Sequence, residues 1–147
     1  MKDVDLDNYL GLMHRAFREL VRGPDTILAQ YGLGRAHHRA LFMIRRAGTV
    51  TVGELAAHLA VTNQALHKTL QPLLRQGLVL TDIDTSDARR RRLSLSGDGK
   101  ALERKISGMQ REVFAQLRQQ MGDACMDDWC RVMQAMEEVA LAQTHGS

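Results

Sequence analysis

The feature that most constrains the fold is a change of hydrophobic periodicity near the middle of the chain. Before residue 77 and after residue 97, apolar residues recur every three or four positions, which is typical of amphipathic helices. Between these points, "LVLTDID" and "RRRLSLS" alternate apolar and polar residues on either side of the turn-rich "TSDA". This pattern predicts one β-hairpin inserted into an otherwise helical chain.

The spacing predicts four helices before the hairpin and two after it, in the order α-α-α-α-β-β-α-α. The first should cover residues 5–22 and then kink or restart at Pro24, because proline fits poorly inside a helix. The three short helices that follow are predicted at residues 35–47, 52–59 and 63–76. After the hairpin, Ser96 should cap a long helix and Gly122 should end it, before a last helix with a Met/Trp stripe.

Two short helices joined by a tight turn and followed by a hairpin form a winged helix-turn-helix. The sequence therefore predicts a single mainly α domain with a small β-hairpin, in which residues 35–96 bind DNA. Residues 1–34 and 97–147 are longer than this small centre needs, so we predict that they are dimerisation helices. The alternative for the Met/Trp stripe is a core within one chain.

Charge is distributed unevenly along the chain. Residues 35–92 hold ten Lys or Arg and four acidic residues, a net charge of +6, whereas the remainder has a net charge of −3. A basic middle between acidic ends predicts a polyanion as the partner. No apolar run approaches the ~20 residues of a membrane span, and the acidic N-terminus does not resemble a secretory signal. We therefore expect a cytoplasmic protein with no membrane partner.

The predicted helix after Thr62, its expected N-cap, has one apolar and one polar face. The apolar face carries Leu66, Leu70 and Leu73, and the polar face carries Asn63, Gln64, His67, Lys68, Gln71 and Arg75. Amides can pair with adenine and cations with guanine, and the start of a recognition helix reaches deepest into the major groove. We therefore predict base contacts by Gln64, His67 and Lys68, with Asn63 beside them. An ordinary solvated face is the alternative, and Pro72 should bend or loosen this helix.

The four arginines of "DARRRRLSLS" are predicted to have unequal roles in the hairpin, or wing. Asp87 would repel phosphate, so we expect it to orient Arg89 by a charge-assisted hydrogen bond. Arg89 is then the residue expected in or over the minor groove, where the negative potential is strong. Arg90 and Arg91 are expected to contact phosphate, whereas Arg92 belongs to the strand as a solvated or salt-bridged side chain. The residues expected to face the core are Leu93 and Leu95.

These segments together resemble the MarR family of winged helix-turn-helix transcriptional regulators. "DARRRRLSLSGDGKAL" is similar to the family's wing, "VGELAAHLAVTNQALHKTLQPLLRQGLV" to its helix-turn-helix, and "GLGRAHHRALFMI" to a branch with a His-His-Arg segment. The resemblance implies a homodimer that binds a pseudo-palindromic operator in double-stranded DNA and usually represses transcription until a small aromatic or phenolic anion binds. It also implies that Asp87 and Arg89 form the wing's Asp-x-Arg pair and that residues 62–68 begin the recognition helix. Pro72 departs from the family pattern.

Candidate effector ligands are His14 and Arg18, one turn apart in the first helix, and His38 near the start of the second. The alternative is that these groups make interhelical or DNA-backbone hydrogen bonds. Sensing of oxidation would depend on Cys125 and Cys130, which we interpret as packing residues in the last helix. Sensing of a metal would need a cluster of ligands, and no His or Cys pair has a convincing spacing for metal ligands. We therefore predict no metal and no cofactor.

Two other classes of protein remain as alternatives. An enzyme would need a phosphate-binding glycine loop, a nucleophile motif or a defined pair of carboxylates, and the sequence has none of these. A winged-helix module that binds only proteins would explain the amphipathic ends of the chain. It would leave the basic hairpin unexplained, so we predict a DNA-binding regulator.

Overall fold

The computed structural model describes residues 4–83 and 91–146, without the side chain of Ile83. Its elements in chain order are α1 (Leu6–Gln30), α2 (Arg35–Ala47), β1 (Val50–Thr51), α3 (Val52–Leu59), α4 (Asn63–Arg75), β2 (Val79–Ile83), β3 (Arg91–Leu95), α5 (Gly97–Met121) and α6 (Asp123–His145). The predicted class, mainly α with a hairpin, is confirmed. The chain divides into two compact units, Met1–Gln110 and Arg111–Ser147.

The strands form one antiparallel sheet in the order β1-β3-β2. The predicted hairpin is confirmed, and it pairs Thr81 with Leu93 and Ile83 with Arg91. Strand β1 was missed by sequence reasoning because two residues are too few to show a period. It pairs Val50 with Leu93, so it holds the outer side of β3.

Helix α1 is continuous through Pro24, so the predicted restart is wrong, and the alternative of a kink stays a prediction. A proline at this position removes the hydrogen bond that would otherwise reach the carbonyl of Leu20. The side-chain amide of Gln110 donates to that carbonyl instead, at 3.4 Å, and the ring of Pro24 is buried. A partner from α5 therefore replaces the lost bond, which local sequence could not reveal.

Helix α4 also continues through its proline and ends at Arg75, one residue earlier than predicted. The residues on both sides of Pro72 are helical, and the bend or loosening expected there stays a prediction. The carbonyl of Lys68 is the one that loses its helical partner.

Side-chain caps fix the starts of α3, α4 and α5. The hydroxyl of Thr62 accepts from the backbone N–H of Ala65 at 3.1 Å, which confirms the predicted cap of α4. Thr51 and Glu54 cap α3 reciprocally, at 3.2 and 3.1 Å. The hydroxyl of Ser96 accepts from the N–H of Gly99 at 3.0 Å, which confirms the predicted cap of α5.

One apolar core joins the sheet to helices α2, α3, α4 and the first half of α5. Its fully buried side chains include Leu28, Leu41, Ile44, Leu55, Leu66, Leu70, Leu73, Leu93 and Ile106. Leu93 and Leu95 face this core, as predicted from the strand pattern. Because the three leucines of α4 point inward, the opposite face of that helix is exposed.

Gly99 allows the start of α5 to lie directly on the backbone between α4 and β2. A Cβ atom at residue 99 would be only 2.0 Å from the carbonyl oxygen of Leu78, a backbone atom with little freedom to move. At Gly97, two residues earlier, a Cβ atom would meet nothing within 4 Å. The two glycines therefore differ in their surroundings although they share one helical turn.

We expect Gly99→Ala to lower the free energy of unfolding by about 1–3 kcal/mol, the usual cost of forcing extra volume into a packed site. The measurement is urea unfolding followed by circular dichroism. Gly97→Ala is the matched control and should be neutral or slightly stabilising, because alanine favours helix. Equal stability of the two variants would contradict the close approach of Gly99 to Leu78.

Candidate nucleic-acid interface

Helix α4 presents a continuous polar face to the surroundings. Its exposed residues include Asn63, Gln64, His67, Lys68 and Gln71. On the buried side, Leu66, Leu70 and Leu73 are at most 2% exposed and fix the rotation of the helix about its axis. The polar side chains therefore cannot turn inward without exposing the leucines, and they point away from the core.

A tight turn connects α3 to this helix. Helix α3 ends at Leu59, Ala60 adopts a left-handed conformation with φ 54°, and α4 begins at Asn63. The N–H of Val61 donates to the carbonyl of Ala56 at 3.0 Å and closes the end of α3. This short connection is the turn of a helix-turn-helix, and α4 occupies the position of its recognition helix. The predicted residues Thr62, Asn63, Gln64, His67 and Lys68 all lie in its cap and first two turns.

The described part of the wing ends on an exposed cation. Arg91 lies at the start of β3, opposite Ile83, and its side chain is exposed. Asp87, Arg89 and Arg90 lie outside the described residues, so their assigned roles remain predictions. A β-hairpin that carries cations beside a recognition helix is the geometry of a wing that contacts the DNA backbone.

Arg92 has a different environment from Arg91. It lies within β3, opposite Asp82 on β2 and Thr51 on β1, and it is partly buried. Its guanidinium donates to the hydroxyl of Thr49 at 3.5 Å. The prediction that Arg92 belongs to the strand is confirmed, and its contacts hold the base of the wing to the loop before β1.

The three effector candidates have three different environments. The Nε2 atom of His38 lies 2.8 Å from the hydroxyl of Ser107 on α5, which is the interhelical hydrogen bond of the alternative interpretation. Arg18 forms an exposed ion pair with Glu19 at 3.4 Å, and His14 is exposed on α1.

The described residues also line a cleft of about 310 Å³ elsewhere in the first unit. Its walls include Tyr31, Gln76, Leu78, Asp98 and Lys105.

Sequence reasoning missed one charged pair in the interior. Glu103 is fully buried on α5, and its carboxylate forms an ion pair with the Nε atom of Arg45 on α2 at 2.9 Å. The available indication was that Glu103 shares the inward face of α5 with Leu102 and Ile106. Glutamate is so often exposed that its position beside apolar residues does not by itself predict burial.

The last helix carries both cysteines of the chain. Cys125 and Cys130 are both exposed within the chain, so their interpretation as packing residues receives no support from the single chain.

At the corner between α5 and α6, the Nε atom of Arg118 donates to Asp123 at 2.5 Å. This hydrogen bond and the charge of Arg118 lower the pKa of the Asp123 carboxyl.

Two features are absent from residues 4–83 and 91–146. No group of three or more His, Cys, Asp or Glu side chains could hold a metal ion. None of the helices in these ranges is both long enough and apolar enough to cross a membrane.

The helix-turn-helix, its exposed polar face and the adjoining hairpin define a winged-helix DNA-binding protein. Residues 31–92 match the sequence model of the MarR family. The chain is also 35% identical to the HTH-type transcriptional regulator PetP of Rhodobacter capsulatus, over 96% of this chain and 85% of that protein. The chain therefore belongs to the MarR family, whose members are transcriptional regulators and not enzymes.

Solved structures confirm the fold. The chain is similar to NadR in complex with 4-hydroxyphenylacetate, with a TM-score of 0.70 and 22% identity, over 92% of this chain and 94% of that one. It is also similar to a point mutant of MepR from S. aureus bound to an oligodeoxyribonucleotide, with a TM-score of 0.61 and 20% identity, over 90% and 97% of the two chains. At these identities the likeness establishes the winged-helix architecture alone.

We expect Gln64→Ala to reduce discrimination at one base pair of the bound DNA by about 1–3 kcal/mol, because it removes one amide that can read a base edge. Affinity for unrelated DNA should hardly change, since glutamine carries no charge. The measurement is fluorescence anisotropy on DNA selected from a random pool and on its single-base variants. Gln116→Ala makes the same change on an exposed face of α5 and should leave every affinity unchanged. A uniform loss across all DNA variants would refute base reading by Gln64.

Proposed function

We propose that this chain is a homodimeric repressor that binds a pseudo-palindromic operator in the cytoplasm and is released by a small aromatic or phenolic anion. The observation that carries this proposal is the exposed polar face of α4, which the core holds beside a cationic hairpin. A protein-interaction module has no need for that combination.

The proposed operator contacts divide into two kinds. Gln64, His67 and Lys68, with Asn63, read base edges in the major groove, and Thr62 fixes the start of their helix. Arg89 enters or covers the minor groove, oriented by Asp87, while Arg90 and Arg91 contact phosphate. Base contacts supply specificity, and the wing supplies affinity that depends on salt.

Dimerisation is supported by an exposed apolar row on α1. The members of this row recur at spacings of four, three and four along the helix, and each is 50–65% exposed. They are Leu6, Leu10, Met13 and Phe17. Exposed apolar residues are also present on α6 in the second unit: Val132, Met136, Val139 and Leu141. A contiguous apolar row on a surface helix usually marks an interface with another protein. Two copies of one chain would place two recognition helices on the two halves of a symmetric site.

The effector class rests on resemblance more than on a defined pocket. NadR was solved with 4-hydroxyphenylacetate, an aromatic acid, and it shares the fold of this chain. Of the candidate ligands, His14 and Arg18 are accessible on α1, whereas His38 would have to exchange its bond with Ser107 for one with the effector. An anion is expected because the candidate groups are cations or hydrogen-bond donors.

We expect Leu10→Glu to convert the dimer to a monomer and to weaken operator binding about 100-fold or more, because binding through two linked half-sites is lost. Analytical ultracentrifugation and anisotropy on the selected operator measure the two effects. Ala29→Glu places the same carboxylate on a different, exposed face of α1 and should change neither. A Leu10→Glu protein that remains dimeric would contradict this interface.

We expect affinity for the operator to fall steeply, by about 10³-fold or more, between about 50 and 200 mM salt, because phosphate contacts release counterions. A gel-shift assay with the promoter beside the protein's own gene measures this dependence. The same assay with a panel of aromatic acids, and with uncharged analogues as controls, tests the effector. Weak salt dependence would refute the phosphate contacts, and release by the uncharged analogues alone would refute an anionic effector.

A further inference from the structure

One row of side chains on α4 points away from the core along the whole length of the helix, and we call it the outer row. Its members are all exposed and recur at spacings of four, three and four: Gln64, Lys68, Gln71 and Arg75. On a helix with 3.6 residues per turn, each member lies within about 50° of the direction opposite to the three buried leucines. The proposed base contacts use the first two members of the outer row and leave Gln71 without a role.

The core holds Gln71 on the outer row from both sides. Leu70, the residue before it, is 2% exposed, and Leu73, two residues after it, is 0% exposed. Both leucines pack in the same core, so they fix the rotation of the helix on either side of Gln71. Pro72 has no N–H to donate, but the N–H of Gln76 donates to the carbonyl of Pro72 at 3.0 Å. Gln71 therefore belongs to a hydrogen-bonded helix in spite of the proline that follows it.

The side-chain amide of Gln71 is available to a ligand. In the part of the chain that the structure describes, no hydrogen bond engages the amide of Gln71 or that of Gln64. The amide of Gln76, one residue beyond the helix, is in contrast committed to the fold, because it donates to the carbonyl of Tyr31 at 2.9 Å. The two glutamines of the outer row therefore each present a donor and an acceptor to the surroundings.

The charges around Gln71 are compatible with an approach to DNA. Helix α4 has no acidic residue, and the cations Lys68 and Arg75 precede and follow Gln71 on the outer row. A solvent-exposed helix face that is stabilised by its own ion pairs carries charges of both signs. A row of amides and cations without carboxylates is not repelled by phosphate at any point. The third turn of α4 can therefore approach the duplex as closely as the first.

The distance between the two glutamines matches the spacing of base pairs. Gln64 and Gln71 are seven residues apart, so their Cα atoms are separated by about 10.5 Å along the helix axis. Successive base pairs of B-DNA are about 3.4 Å apart, so this distance corresponds to about three base-pair steps if α4 lies along the groove. In zinc fingers, whose helix is inclined to the groove, residues at intervals of three read successive bases, which would give two steps.

We propose that Gln71 is a second base-reading glutamine, which recognises an adenine two or three base pairs from the base pair read by Gln64. Its amide would donate to N7 of the adenine and accept from the N6 amino group. Each half of the operator then contains two A·T pairs at this spacing. Lys68 lies between the two glutamines on the outer row, where a cation suits guanine. This inference deepens the proposed operator contacts and rests on them.

The test removes the amide of Gln71, with Gln116→Ala as the matched control that makes the same change on α5. Alanine favours helix, so Gln71→Ala should fold as the parent does. DNA selected by the parent protein from a random pool, together with its single-base variants, is titrated by fluorescence anisotropy. We expect Gln71→Ala to lose discrimination on the order of tenfold at one A·T pair of each half-site, two or three base pairs from the pair affected by Gln64→Ala. Gln116→Ala should keep every preference of the parent.

A second variant separates base reading from a structural role. Gln71→Glu replaces the amide by a carboxylate, which accepts from the N4 amino group of cytosine and cannot donate to adenine N7. We expect the preferred base at the same position to change from adenine to cytosine, while affinity for all DNA falls because the carboxylate repels phosphate. A residue that only supports the fold would not exchange one preferred base for another.

The outcomes distinguish this inference from the proposed function. Parental preferences at every position in Gln71→Ala would overturn the role of Gln71, and so would a loss at the base pair already read by Gln64. If Gln64→Ala still loses its own base pair, the proposed operator contacts stand without Gln71. A parent protein that selects no sequence from the pool would refute the proposed function, and the inference would fall with it.

Discussion

The packing of three leucines on one side of α4 is the constraint on which the interface with DNA depends. Leu66, Leu70 and Leu73 are almost completely buried, and each contributes about 1.5–3 kcal/mol of transfer free energy relative to an exposed side chain. Any rotation of the helix would lose part of this burial. The orientation of the polar face is therefore fixed by the core, and no rearrangement of the helix is needed to expose it.

Polar side chains at the margins of the core complete this arrangement. Each one forms a hydrogen bond or an ion pair that the apolar leucines cannot form. Gln110 satisfies the carbonyl that Pro24 leaves without its helical partner. Ser96 joins the end of β3 to the turn after α4 and also caps α5. Arg45 neutralises a carboxylate in the interior. Apolar burial thus selects the fold, and these directional contacts fix the positions of its helices.

The sequence predicted most of the elements but few of the contacts between them. Bounds of α2 and α3 agree with the prediction because capping residues and periodicity both act within a few residues. The restart at Pro24 was wrong and the pair Arg45–Glu103 was missed, since both depend on partners about 60–90 residues away. The polar face of α4 could be predicted because it is the complement of a visible apolar pattern. The effector candidates could not be related to each other, since no local pattern specifies which side chains of α1, α2 and α5 meet.

The count of charges overstates how much of the basic middle is available to DNA. Arg35 is paired with Asp25 and lies over Phe17, and Arg45 is paired with Glu103. The two acidic partners, Asp25 and Glu103, lie in the acidic segments that flank the basic middle of the sequence. Part of the charge asymmetry along the sequence is therefore neutralised by ion pairs in the fold. The exposed cations of the described interface include Lys68 on the recognition helix and Arg91 on the wing. These two cations lie on the elements that we propose to contact DNA, so attraction to phosphate and the proposed base contacts would direct the same surface to the duplex.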